Sequence, residues 1–234
     1  MASQRTICRS VLERLAQAGV LGDVVLIGSW CLEGYKSYFG RTTPLTALRT
    51  RDIDFLVPQP THMRASADVP ALLEDLGFVT DFRHGGYVRL IHPELIVEFL
   101  VPERGRGTDR PVRLPRLGIN AQALRFLNVL EEHTITATLE GVQVRMPHPA
   151  AFALHKLLIA PRRQGHTGKR AKDVEAATAV LEALRARGDE QSVRRYFSSM
   201  PPRWQARIRR ELNAHHELRD WLSLLGTPGD RMNY

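Results

Sequence analysis

Three acidic residues inside apolar, strand-like segments are the residues of this sequence best suited to chemistry. Asp52 and Asp54 belong to the run DIDFLV at 52–57, and Glu98 lies in LIVEFLV at 95–101. Because side chains alternate along a strand, Asp52 and Asp54 share one face. Neighbouring carboxylates repel each other, and burying one without a partner is costly. A divalent, oxygen-preferring cation such as Mg²⁺ relieves that repulsion, so the three acids predict a metal site.

An arrangement without a metal is also open. Acids at the ends of strands are commonly solvated or paired with a basic side chain. Arg49, Arg51 and Arg89 are candidate partners in this sequence. For any single acid this explanation is favoured, whereas three acids on two apolar strands favour the metal.

A glycine and a serine, Gly28 and Ser29, follow the mostly apolar run DVVLI at 23–27. They stand where a predicted buried strand gives way to a predicted helix. The N–H groups at a helix N-terminus attract phosphate, and glycine lets the backbone approach a ligand closely. The serine hydroxyl adds one more donor. The pair therefore predicts a phosphate-binding turn, with an ordinary helix cap by Ser29 as the alternative.

The elements that must position these residues follow from the periodicity of the apolar side chains. The first part of the chain predicts helices over residues 5–18, 29–39 and 68–76, strands over 23–27, 52–57, 78–82, 87–92 and 95–101, a long loop over 102–118, and a hairpin over 133–139 and 142–146. After Pro147 the pattern becomes helical, over residues 150–160, 171–187, 190–199 and 203–225. This layout predicts a mixed α/β core over 1–147 and a helical part over 148–234.

Composition and charge bound the class of protein. The 234 residues include 43% hydrophobic ones, enough for a core, and their net charge of +8 is unevenly spread. Residues 1–100 have a net charge of −1, whereas residues 101–234 have one of +9. A basic half indicates a surface that meets an anion such as a nucleotide or nucleic acid, although arginine-rich helices without that role are the alternative. Two cysteines form no disulfide framework, and no run approaches the ~20 apolar residues of a membrane span, so we expect a cytoplasmic protein without membrane segments.

In order and spacing, these motifs resemble the nucleotidyltransferase superfamily that shares the palm fold of DNA polymerase β. The matching segments are LIGS at 26–29, DIDF at 52–55 and VEF at 97–99. The resemblance implies an α+β fold, in which a mixed β-sheet core with helices on one face precedes a helical C-terminal part. It further implies that Gly28 and Ser29 bind the nucleotide and that Asp52, Asp54 and Glu98 are the catalytic metal ligands.

A looser resemblance extends to residue 173. The segment HPAAFALHKL at 148–157, followed by Lys172 and Asp173, is similar to the bacterial branch that includes the Abi-type toxin nucleotidyltransferases. That similarity implies that Lys156 faces the nucleotide phosphates, with a surface lysine on an amphipathic helix as the alternative. The chain departs from the usual pattern in its third acid, which is Glu98 rather than Asp, and in a longer segment at 36–50.

The resemblance implies transfer of a nucleoside monophosphate from an NTP to an acceptor hydroxyl with Mg²⁺ or Mn²⁺. The acceptor stays open between an RNA end such as that of tRNA, a protein and a small molecule. Two alternatives remain: a catalytically silent nucleotide- or RNA-binding protein of the same fold, such as a toxin–antitoxin component, and a basic nucleic-acid-binding protein whose acids are structural. Two basic segments, residues 161–170 and 203–210, are candidates to hold phosphates of a nucleic acid.

Overall fold

A computed structural model describes residues 3–40, 45, 50–83, 85–105, 110–163 and 167–226 of the chain. These residues form two compact units, one made by residues up to 147 and the other chiefly by residues from 148 onward. No helix in the described part of the chain is long and apolar enough to cross a membrane.

The first unit contains a mixed sheet with short helices. Its helices are α1 (Gln4–Gln17), α2 (Cys31–Phe39), α3 (Val69–Glu74) and α4 (Asn128–Glu131). Its strands are β1 (Val25–Ile27), β2 (Asp52–Leu56), β3 (Val79–Phe82), β4 (Val88–Ile91), β5 (Ile96–Pro102), β6 (Val112–Leu114), β7 (Ile119–Leu124), β8 (Thr134–Leu139) and β9 (Val142–Pro147).

The order of the strands places β2 and β5 side by side in the middle of the sheet. The main path is β1-β2-β5-β4-β3, with β7 added at the far end of β5 and β6 paired to β7. Strand β2 is parallel to β5 and antiparallel to β1, while β4 is antiparallel to both β3 and β5. Strands β8 and β9 form a separate hairpin. The sheet is mixed, as the sequence predicts.

Alternation along the central strands separates a core face from a polar face. Ile53 and Phe55 on β2 are fully buried, and so are Val97 and Phe99 on β5 to within 2% exposure. The rings of Phe55 and Phe99 stack with their centroids 5.4 Å apart. Because successive side chains of a strand point to opposite faces, the acids between these residues lie on the other face.

The second unit is helical. Its helices are α5 (Pro149–Ile159), α6 (Thr167–Ala186), α7 (Glu190–Ser199), α8 (Pro202–Ala214) and α9 (Asp220–Leu224). Helix α5 is buried along nearly its whole length, which explains why its sequence is apolar on every side. Its start is fixed by Pro149 at the first position and by His148, whose Nδ1 accepts a hydrogen bond from the Ala150 N–H at 3.2 Å.

Two predictions about the elements are wrong. The segment 102–118 is not a continuous loop, because Val112–Leu114 forms β6 against β7. A three-residue strand flanked by prolines is too short to show a period of two. The predicted helix over 203–225 breaks after Ala214, because the backbone of His215 is extended, with φ −114° and ψ 113°. No glycine or proline marks this break in the sequence.

Candidate active site

A row of side chains runs straight across five strands of the sheet. Asp54 on β2 is the register partner of Ile27 on β1 and of Glu98 on β5. Glu98 is in turn the partner of Arg89 on β4, and Arg89 is the partner of Asp81 on β3. Neighbouring strands of a sheet lie about 4.7–4.9 Å apart. The register therefore brings Asp54 and Glu98, which are 44 positions apart in sequence, into adjacent places.

The Gly28–Ser29 turn lies against this row. Gly28 has φ +75°, in the left-handed region that favours glycine. A Cβ built on Gly28 would stand 2.3 Å from Asp54 Oδ2, which is far inside contact distance. The backbone at Gly28 therefore passes so close to Asp54 that position 28 has no room for a side chain. Helix α2 begins at once, with the Leu32 N–H donating to the Ser29 carbonyl at 3.1 Å.

Electrostatics at Glu98 reflect its acidic neighbours. Burial raises the pKa of Glu98 above its ordinary value, and the negative charge of Asp52 raises it further. Arg89 and a side-chain hydrogen bond with Asp54 lower the same pKa without cancelling the rise. Asp54 therefore interacts with Glu98 through its side chain, and the negative charge of Asp52 acts on Glu98 as well.

Arg89, one of the arginines considered as partners of the acids in place of a metal, contacts an acid of the row. Arg89 Nε lies 3.6 Å from Glu98 Oε1, and Arg89 Nη2 lies 3.0 Å from Asp81 Oδ2. The shorter contact is to the acid outside the predicted site. Arg51 instead donates to the His92 carbonyl at 2.9 Å. Arg49 lies outside the described residues.

Comparison with known proteins assigns the family. A sequence model described as nucleotidyltransferase matches residues 7–201. The chain belongs to this nucleotidyltransferase family. The match covers most of the first unit and the second unit as far as residue 201, and it includes every residue of the predicted site. No curated protein sequence matches the chain.

Three solved structures are similar to the chain at low sequence identity. A crystal structure of ANT(2″)-Ia in complex with adenylyl-2″-tobramycin has 14% identity over 83% of this chain and 97% of that one, with a TM-score of 0.47. A solution structure of the antibiotic-resistance factor ANT(2″)-Ia has 15% identity over 91% and 98%, with a TM-score of 0.47. An antigenic nucleotidyltransferase-like protein from Paracoccidioides brasiliensis has 15% identity over 80% and 91%, with a TM-score of 0.40.

The donor set of this nucleotidyltransferase fits a hard divalent cation. Asp54 and Glu98 supply carboxylate oxygens from directly opposed positions of β2 and β5, and the exposed Asp52 supplies a third carboxylate on the same strand face. Oxygen ligands of this kind are those that Mg²⁺ takes, completed by water and phosphate. Within the described residues no three His, Cys, Asp or Glu side chains are arranged to hold an ion as they stand. Metal binding by Asp52, Asp54 and Glu98 therefore stays a prediction.

Lys156, the predicted phosphate ligand, lies on α5 in the second unit, where it is only 8% exposed. Its Nζ donates to Asp173 Oδ1 at 2.7 Å, and Arg163 Nε donates to Asp173 Oδ2 at 3.1 Å. Asp173 is 5% exposed, so two cations neutralise one buried carboxylate. The sequence motif names Lys172 and Asp173 as a pair, whereas the structure pairs Asp173 with Lys156 and Arg163. A phosphate-binding role for Lys156 stays a prediction.

Sequence reasoning did not identify His155 as a buried polar group. Its Nε2 is buried and has no hydrogen-bond partner among the described residues. Burial lowers the pKa of His155 to about 3, and the adjacent Lys156 lowers it as well. The ring is therefore neutral at physiological pH. The signal in the sequence that could have indicated its burial is its position in α5, where most of the other residues are apolar.

Proposed function

We propose that this protein transfers a nucleoside monophosphate from an NTP to an acceptor hydroxyl and releases pyrophosphate, with Mg²⁺ or Mn²⁺ held by Asp52, Asp54 and Glu98. The observation that carries the proposal is the register of Ile27, Asp54 and Glu98 across three adjacent strands. That register places the end of β1, where the Gly28 turn begins, beside the acids in a chain of nucleotidyltransferase family.

Each residue has a defined task in this scheme. Gly28 and Ser29 would receive the triphosphate, because the positive end of the α2 dipole favours anions and the backbone of a glycine can be approached closely. The three carboxylates would hold the cation, whose chemistry is to neutralise the phosphates and to clamp the attacking and leaving oxygens. Arg89 would hold Glu98 through its contact of 3.6 Å. The acceptor class stays open between an RNA end, a protein and a small molecule.

The test compares the three acids of the proposed site with an acid of the same sheet that lies outside the site. Asp52→Asn, Asp54→Asn and Glu98→Gln remove charge from the proposed site, while Asp81→Asn removes the same charge from the edge strand of the same row. Binding of each of the four NTPs is measured by calorimetry with Mg²⁺ and with a chelator. We expect Mg²⁺-dependent binding in the wild type and in Asp81→Asn, and its loss in the other three variants.

Two results would contradict the proposal. One is a folded Asp54→Asn variant that binds Mg²⁺–NTP as tightly as the wild type. The other is an equal loss in Asp81→Asn, since the effect would then follow the charge of the whole row rather than the three acids. Pyrophosphate release in the presence of candidate acceptors follows for the NTP that binds. Binding without turnover on every acceptor would favour the silent nucleotide-binding alternative.

A further inference from the structure

Asp52, the first residue of β2, lies beyond the part of β2 that pairs with β1. The register between these two strands ends at the pair of Ile27 and Asp54. On its other side, Asp52 is the register partner of Ile96 on β5. Among the described strands, Asp52 therefore has a neighbour on one side only, although its carboxylate belongs to the proposed site.

The backbone N–H of Asp52 faces the side that β1 does not reach. The Ile96 N–H donates to the Arg51 carbonyl at 2.7 Å, so the backbone of Arg51 bonds to β5. The Val57 N–H donates to the Leu100 carbonyl at 2.8 Å, so the backbone of Val57 bonds to β5 as well. Because the backbone groups of successive strand residues point to alternate sides, those of Asp52 point away from β5. An N–H at such a place needs an acceptor from outside the sheet.

The side chain of Thr50 supplies that acceptor. Thr50 Oγ1 accepts a hydrogen bond from the Asp52 N–H at 3.2 Å. A hydroxyl that bonds the backbone two residues further along the chain forms a local turn. This bond holds the backbone at the start of β2, from which the carboxylate of Asp52 extends.

Gln4, the first residue of α1, holds Thr50 in turn. Its Nε2 donates to the Thr50 carbonyl at 2.7 Å and to the Glu94 carbonyl at 3.2 Å. Because carbonyl oxygens only accept hydrogen bonds, the group that faces them is the NH2 of the side-chain amide, with both of its donors in use. Thr50 precedes β2, and Glu94 precedes β5. One side chain therefore joins the N-terminal ends of the two strands that contain the acids.

The helix that presents Gln4 is anchored in the core. Five residues of α1 are buried, namely Ile7, Cys8, Val11, Leu12 and Leu15. Its start is capped by Ser3, whose side chain accepts a hydrogen bond from the Thr6 N–H at 3.3 Å. A side chain on an element packed in this way holds its partners more precisely than one on a loop does.

We propose that Gln4 and Thr50 are positioning residues that hold Asp52 for a divalent cation. Neither side chain binds the cation itself, because Gln4 acts on Thr50, and Thr50 acts on the backbone of Asp52. Replacing residues that orient a metal ligand typically lowers metal affinity by about 10–100-fold. The inference rests on the proposed function, in which Asp52, Asp54 and Glu98 hold the cation.

The test measures the affinity of the full-length protein for Mn²⁺, without NTP, from the electron paramagnetic resonance signal of free Mn²⁺. Thr50→Val removes the hydroxyl, whereas Thr50→Ser keeps it. Thr138→Val is the matched control, because it removes a threonine hydroxyl that accepts a hydrogen bond from Gln143 Nε2 at 2.8 Å in the β8–β9 hairpin. We expect about tenfold weaker binding in Thr50→Val and near wild-type binding in the other two variants.

A double-mutant cycle tests whether Thr50 acts through Asp52. In an Asp52→Asn background, Thr50→Val should weaken Mn²⁺ binding little further, since the carboxylate that Thr50 positions is already gone. Hydrogen exchange followed by NMR adds a measurement that needs no metal. The Asp52 amide should exchange about tenfold faster in Thr50→Val than in the wild type, and Gln4→Met should also speed its exchange.

Three results would overturn the assignment. The first is an Asp52 amide that exchanges at the wild-type rate in Thr50→Val. The second is a loss of Mn²⁺ affinity that is as large in Thr138→Val, or undiminished in the Asp52→Asn background, since the effect would then be one of general stability. The third is wild-type Mn²⁺ affinity in a Thr50→Val protein whose Asp52 amide exchanges faster.

Failure of the proposed function gives a different result. The wild type would then bind Mn²⁺ no more tightly than Asp54→Asn does, and the role of Gln4 and Thr50 toward a cation would be refuted with it. The exchange rates of the Asp52 amide would still differ between the wild type and Thr50→Val, because the hydrogen bonds that they report exist without a metal.

Discussion

Replacement of Gly28 by alanine tests the close approach between the turn and Asp54. The new Cβ would stand 2.3 Å from Asp54 Oδ2 and 3.3 Å from Asp54 Cγ. Alanine at φ +75° also has a left-handed backbone, which costs about 1–2 kcal/mol. Alanine stiffens the unfolded chain, which returns about 0.4–1 kcal/mol. The remaining cost comes from moving the Asp54 carboxylate, and overpacking of this kind costs about 1–3 kcal/mol.

A glycine in the same unit isolates the backbone contribution. Gly141, in the turn between β8 and β9, has φ +86°, and a Cβ there would meet no atom of the described residues within 4 Å. Gly141→Ala should therefore lower the free energy of unfolding by about 1 kcal/mol. Gly28→Ala should lower it by about 2–4 kcal/mol. Equilibrium urea unfolding of the two variants and the wild type measures both values.

Gly28→Ala should also weaken NTP binding, and this loss should be present even where the variant is fully folded. Displacing the Asp54 carboxylate disturbs its hydrogen bond with Glu98, so we expect Gly28→Ala to lose Mg²⁺-dependent NTP binding at temperatures where it is folded. Gly141→Ala should bind as the wild type does. A Gly28→Ala protein with the stability of Gly141→Ala and wild-type NTP binding would refute the close approach of the turn to Asp54.

Three further predictions concern buried polar groups, each measured by urea unfolding. Burial lowers the pKa of His155 to about 3, so below about pH 6.5 the unfolded chain takes up a proton that the folded chain does not. Stability should fall by ~1.4 kcal/mol per pH unit as pH falls from about 6.5, and His155→Leu should remove this slope; an unchanged slope would contradict the assignment. Tyr35→Phe removes the buried hydrogen bond from Tyr35 Oη to the Pro147 carbonyl at 2.8 Å and should cost about 1–2 kcal/mol, whereas unchanged stability would mean that this bond contributes nothing. Lys156→Met leaves Asp173 with less charge compensation and should cost about 2–3 kcal/mol, part of which Asp173→Asn should restore; strictly additive losses would argue against the pair.

The two strands that contain Asp54 and Glu98 were the most predictable part of the fold. The apolar runs around Asp54 and Glu98 are long enough to show that each is a central strand, and the structure places β2 and β5 there. The sequence cannot give their register, because pairing of distant strands depends on the whole sheet. Strand β7 (Ile119–Leu124) escaped prediction, since INAQAL has only weak alternation and its burial comes from pairing with the far end of β5.

The arginines were the least predictable part, because their charge alone says nothing about their partners. Arg163 and Arg209 both belong to the basic segments of the sequence. In the structure Arg163 contacts a carboxylate 10 positions away, whereas Arg209 donates to the carbonyls of Leu225 and Gly226. Such contacts join residues of different elements, so no local spacing reveals them. For the same reason the sequence does not predict the contact between Lys156 and Asp173, which are 17 positions apart.

The charged row also explains how an apolar sheet tolerates its acids. Arg89 contacts both Asp81, at 3.0 Å, and Glu98, at 3.6 Å. Its single positive charge therefore interacts with two carboxyl groups rather than with Glu98 alone. Burial and Asp52 still keep the pKa of Glu98 raised. Arg83 Nη1 lies 3.6 Å from Asp81 Oδ2 as well, so Asp81 has contacts with two arginines at its end of the row. A bound divalent cation would bring positive charge to the opposite end, beside the proposed triphosphate site.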